Sequence, residues 1–134
     1  MNITRVERWP IGATVTLLAR VHSDDGGGAS TGQPREGEYI TAAQVDTIAC
    51  NVYDRSSSTP DTSLGTPTIT SAAVITAVTS GYTIRDEDLG PYNFKYALTT
   101  ELIATVGHTY RVTISITLTT GTVIETFGFE AEAE

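Results

Sequence analysis

Cysteine, positive charge and long apolar runs are all scarce in this chain, and each scarcity excludes something. The single cysteine, Cys50, cannot close an internal disulfide, so no cysteine framework and no oxidising compartment are required. Eight Lys and Arg stand against 16 Asp and Glu, a formal net charge of −8. A whole-molecule charge of that sign is repelled by phosphate backbones and by anionic lipid, which argues against nucleic-acid and membrane partners. The eight cations are scattered rather than clustered, while Glu125, Glu130, Glu132 and Glu134 gather at the acidic C-terminal end. No apolar stretch is long enough to cross a bilayer, and Met1 to Arg8 lacks the apolar core of a signal peptide, so the expectation is a protein made in the cytoplasm.

What the chain has in quantity is threonine, roughly one residue in six, and with Val and Ile it gives the β-branched composition that fills pleated strands. The alternation is clearest from Gly107 to Ala131. Tyr110, Val112, Ile114, Ile116 and Leu118 fall on one face, and Thr109, Arg111, Thr113, Ser115 and Thr117 on the other, which is the period of a half-buried strand. Thr119-Thr120-Gly121 then predicts a turn into a second strand ending in Phe127 and Phe129. Val15, Leu17, Ala19 and Val21 mark another strand, Ile48, Cys50 and Val52 a third, and Tyr92, Phe94, Tyr96 and Leu98 a fourth. Thr41 to Gln44 predicts one short helical turn, Thr66 to Thr70 a short edge strand, and Ala72 to Val78 either a strand or a short helix. About seven strands in 134 residues predict an all-β fold, a single antiparallel two-sheet β-sandwich of immunoglobulin-like kind. Residues 1–12 form an N-terminal arm or first strand and residues 13–134 the sandwich domain. Tyr110, opening its strand after Gly107-His108, sits where such domains set a corner tyrosine.

Constellations for catalysis are missing from the sequence. His22 and His108 have no second His or Cys at metal-ligand spacing, and no nucleophile motif surrounds them; Gly107-His108 reads as a hairpin turn. Gly26-Gly27-Gly28 lacks the Gly-Lys-Ser/Thr that would complete a phosphate loop and lies beside Asp24 and Asp25. Asp86-Glu87-Asp88 is the best carboxylate cluster but does not complete a calcium loop, so a solvated turn is expected. The reading is therefore no enzyme, no cofactor and no metal. Ser23 to Gly37 is the one long segment with almost nothing to bury, either a binding loop or a bare connection.

Four groups of residues carry a family resemblance: Val15-Thr16-Leu17-Leu18-Ala19-Arg20; Ile40-Thr41-Ala42-Ala43-Gln44-Val45 leading to Val52-Tyr53-Asp54; Gly90-Pro91-Tyr92-Asn93-Phe94; and Gly107-His108-Thr109-Tyr110-Arg111-Val112. The pattern resembles small immunoglobulin-like β-sandwich proteins of tailed-phage structural gene clusters. The resemblance implies a virion part, either a capsid decoration (cement) protein or a head-tail, neck or tail accessory protein. It implies as partners the major capsid protein or other virion proteins, with many copies or a homo-oligomer on the capsid. Net negative charge favours the outside of a shell over its DNA-facing interior. An immunoglobulin-like adhesion or carbohydrate-binding module is the reading from a different class. For attachment, the expected partner-binding residues are Arg8 and Trp9 in the arm, with Trp9 as the anchor or else packed on its own domain, and Asp24, Asp25, Gly27, Gln33 and Arg35 in the long loop.

Overall fold

The computed structural model describes residues 2–6, 8–19, 21, 40–79, 92–121, 123–124 and 126–134. Eight strands appear in it: β1 (Asn2–Arg5), β2 (Thr14–Ala19), β3 (Val45–Asp54), β4 (Ser63–Gly65), β5 (Val74–Thr79), β6 (Tyr92–Thr99), β7 (Thr109–Leu118) and β8 (Phe127–Glu132). The helical content of the described residues is three single 3-10 turns, at Ala42–Gln44, Ser71–Ala73 and Thr100–Leu102. The strands form a five-stranded sheet in the order β1-β8-β7-β3-β4 and a three-stranded sheet in the order β2-β6-β5. All pairings are antiparallel except one, β1 on β8, which is parallel with Ile3 opposite Gly128 and Thr4 opposite Phe129. The expectation of a purely antiparallel arrangement is corrected there. A parallel neighbour cannot follow from a hairpin, so the N-terminal segment comes to β8 from the far end of the chain.

One apolar core joins the two sheets. Leu17, Val74, Phe94 and Leu98 enter it from the smaller sheet, and Cys50, Val52, Val112, Ile114, Ile116 and Phe129 from the larger. The rings of Phe94 and Phe127 meet edge to face across the sheets, centroids 5.5 Å apart. Strand β7 runs through the middle of the larger sheet, and its apolar face, from Tyr110 to Leu118, is no more than 2% exposed. The hairpin from β7 to β8 forms, but its second strand begins at Phe127, where the sequence places its end, and runs to Glu132. Gly121 supplies a φ of +90° at the turn, and Ile114 pairs with Phe127.

Three local expectations change. The edge of the larger sheet is β4, not Thr66 to Thr70, from which Ile69 makes only an isolated bridge to Ile48. Ala72 to Val78 divides between a 3-10 turn and β5. Gly107-His108 is not in a hairpin: it lies in the connection that carries the chain from β6 in one sheet to β7 in the other, with Gly107 at φ +86°. At that crossing the Tyr110 hydroxyl accepts a 3.0 Å hydrogen bond from the backbone N–H of Thr105, which fixes the corner.

Candidate functional site

Arg8 and Trp9 are neighbours in sequence with opposite fates. Arg8 stays in solvent, 3.5 Å from the Glu134 carboxylate in an exposed pair. Trp9 is fully buried, and its indole Nε1–H donates 3.0 Å to the carbonyl of Tyr110. Of the two expectations for Trp9, packing on its own domain is the one observed, because a ring with no exposed surface contributes to its own core. The backbone follows the same course: Val6, Trp9 and Ile11 donate to the carbonyls of Glu130, Glu132 and Glu134. The N-terminal segment is thus bonded along β8 rather than standing away as an arm. Asp24, Asp25, Gly27, Gln33 and Arg35 lie outside the described residues, as do the Ser23–Gly37 loop and Asp86–Asp88. Among the described residues no group of three or more His, Cys, Asp or Glu could hold a metal ion.

The polar chemistry that the fold does assemble lies on the outward face of the larger sheet and at the β6–β7 crossing. Because residues alternate in and out along a strand, Val52 and Val112 point into the core while their neighbours Tyr53 and Arg111 face outward, directly opposite each other across β3 and β7. Arg111 is also opposite Glu130 on β8, and its Nε donates 2.7 Å to Glu130 Oε2. The Glu130 side chain is 9% exposed and that of Arg111 24%. Just past β3, Arg55 donates through Nη1 to the Pro60 carbonyl at 3.1 Å and to Asp61 Oδ1 at 2.7 Å. Tyr53, Arg55, Asp61, Arg111, Thr113 and Thr126 line a cavity of about 300 Å³.

The Arg111–Glu130 bond is a charge-assisted one to a carboxylate largely removed from water. Arg111→Met is expected to destabilise the fold by about 1.5–3 kcal/mol. A urea titration followed by circular dichroism measures it, and a change below about 0.5 kcal/mol would mean that the pair contributes no more than an exposed one.

The second assembly is Asp54 with His108. His108 Nδ1 lies 2.7 Å from Asp54 Oδ2, Asp54 Oδ1 accepts from the Ser56 N–H at 3.0 Å, and Ser56 Oγ accepts from the Thr109 N–H at 2.9 Å. This resembles the orienting half of a catalytic base, but no hydroxyl or thiol nucleophile bonds the imidazole among the described residues. What the contacts do is tie the turn after β3 to the start of β7. Nothing local in the sequence pairs Asp54 with His108, which are 54 residues apart. The β3–β7 register, with Asp54 opposite Tyr110, brings them together.

Cys50 is buried at the centre of β3, and burial pushes its thiol up from 9.0 to about 11. The thiolate is the reactive form, so Cys50 should resist alkylation at neutral pH until the domain unfolds. The raised value also predicts alkaline sensitivity. The folded state keeps a proton that the unfolded chain gives up, so stability present below pH 9 is lost as the pH rises toward about 11, by about 2–3 kcal/mol. Tyr96, raised by burial and then by the neighbouring Cys50 charge, acts in the same direction. Urea midpoints at about pH 8 and pH 10.5 should fall further apart for the native chain than for Cys50→Ala; equal falls would contradict the assignment.

No protein family, curated protein or solved structure matches this chain.

Proposed function

We propose that the chain is a non-enzymatic structural protein of a tailed-phage virion, built on an immunoglobulin-like sandwich and attached as a decoration protein to the outer surface of the capsid. The observation that carries the scaffold reading is the strand order. The orders β2-β6-β5 and β8-β7-β3-β4 are those that strands B-E-D and G-F-C-C′ have in an immunoglobulin-type domain, and this supports the reading. Tyr110 supports it independently: it lies at the start of β7 and bonds back to Thr105 at the crossing between sheets, as a corner tyrosine would. The antibody pair of cysteines is absent, since Cys50 is the sole cysteine.

A scaffold of this kind carries no activity by itself. The virion role rests on the resemblance of the β2, β3, β6 and corner segments to phage structural proteins, and the outer position on the net charge of −8. With Trp9 internal, attachment falls to surface residues. Ile11 and Val106, 38% and 68% exposed, lie at the same end of the domain: the N–H of Ile11 bonds to Glu134, and that of Gly107, next to Val106, to Ala133. Two exposed aliphatic side chains in one place suit a small contact repeated many times over a shell.

Co-sedimentation with undecorated capsids tests the reading. The intact protein should saturate the particles, and an Ile11→Asp/Val106→Asp variant with an unchanged melting temperature should bind at least about tenfold more weakly. If the intact chain bound no capsid, the neck or tail position would replace decoration.

A further inference from the structure

The cavity on the outward face of the larger sheet has a composition that the rest of the surface does not predict. In a chain with only eight cations and a net charge of −8, two arginines, Arg55 and Arg111, line one cavity of about 300 Å³. That volume is at the small end of ligand sites, enough for one sugar ring or the end of a peptide. Arg111 is held by Nε on Glu130, and its two terminal nitrogens have no acceptor among the described residues, so a planar pair of donors is presented with its geometry already fixed. Arg55 spends Nη1 on Asp61, whose side chain is 89% exposed, and such an exposed pair exchanges readily for a better acceptor. Tyr53, Thr113 and Thr126, each with a hydroxyl, complete the lining.

We propose that this cavity binds a carboxylate, either on an acidic sugar or on an acidic peptide, with the Arg111 fork as its principal contact and Arg55 as the second. An acceptor-only, planar, singly charged group matches a cluster of donors led by a guanidinium. Phosphate fits less well, because Asp61 and Glu130 already balance the two arginines and a second negative charge would meet them at close range. The site belongs to the isolated domain and does not depend on the virion reading.

The test is an amide chemical-shift titration of the full chain with sodium glucuronate, the α-amide of N-acetylaspartate, which carries one carboxylate as a peptide side chain does, and glucose. One or both acids should shift Tyr53, Arg55, Arg111 and Thr113 saturably, with a Kd on the order of 1 mM, and glucose should leave them unmoved at the same concentration. Tighter binding of glucuronate identifies a sugar source, tighter binding of the N-acetylaspartate amide a peptide source, and equal binding establishes the carboxylate alone. Arg111→Lys, which keeps the charge and loses the fork, should weaken the acids about tenfold, and so should Arg55→Gln. Arg55→Gln decides alone if Arg111→Lys lowers the melting temperature by more than a few degrees. The proposal is overturned if neither acid gives a saturable shift up to about 10 mM, if glucose shifts the same amides equally, or if Arg55→Gln leaves the affinity unchanged.

Discussion

Trp9→Ala should lower the stability of the domain by about 3–5 kcal/mol and its melting temperature by roughly 10–20 °C. The ring is wholly buried in the shared core, so its removal loses the transfer energy of the largest side chain and leaves a void that close-packed neighbours fill only in part. The indole N–H is the second component, since the Tyr110 carbonyl that accepts it is buried and loses a partner. Trp9→Phe separates the two: it keeps most of the apolar volume, drops the hydrogen bond, and should cost about 1–2 kcal/mol. Because the chain has one tryptophan, far-UV circular dichroism rather than fluorescence must follow the urea transitions. A loss under about 1 kcal/mol for Trp9→Ala would mean that the N-terminal segment is not part of the folded core.

Ile114→Ala should cost about 2–5 kcal/mol, and Ile114→Val about 0.5–1.5 kcal/mol. Ile114 is fully buried, lies midway along the central strand of the larger sheet, and is flanked across the ladder by Cys50 and Phe127. Its neighbour Ser115 points to the opposite face and is half-buried, so Ser115→Ala should change stability by less than about 0.5 kcal/mol. The contrast between adjacent residues is a direct reading of strand alternation. Comparable losses at the two positions would contradict the assigned faces.

That alternation explains why the central strands were readable from sequence. In β3, β6 and β7 one face is buried and the other is not, so a one-residue slip in register would reverse every side chain, and Leu17, Val52, Phe94, Val112, Ile114 and Ile116 all prove to be core residues. The edges lacked that signal. Ser63–Gly65 is too short and too polar to show a period, and Pro67 followed by Ile69 imitates an edge strand while forming a single bridge. The parallel pairing of β1 with β8 depends on contacts between opposite ends of the chain, to which no local pattern is sensitive. Trp9 was ambiguous for the same reason: whether an aromatic anchors a partner or fills its own core depends on what closes over it.

The cavity and the Asp54–His108 pair were hidden in a different way. Tyr53 and Arg111 look like ordinary outward residues of half-buried strands and Arg55 like the start of a polar loop, and their convergence appears only once β3 and β7 are placed in register. Even on the polar face of the most legible strand, Thr113 is only 9% exposed. The signal available in sequence was an arginine within a run otherwise made of threonine and serine, opposite a glutamate that the following strand would bring alongside.

Two sheets closed over one core, with the N-terminal strand parallel to β8, are the frame on which the cavity proposed for a carboxylate and the end proposed for attachment both rest. Nuclear Overhauser contacts in solution test that arrangement most directly. A contact between the rings of Phe94 and Phe127 across the sheets is expected, with backbone contacts of Ile3 with Gly128 and Thr4 with Phe129 in parallel register. An antiparallel pattern between Asn2–Arg5 and Phe127–Glu130, or no ring contact between Phe94 and Phe127, would contradict it.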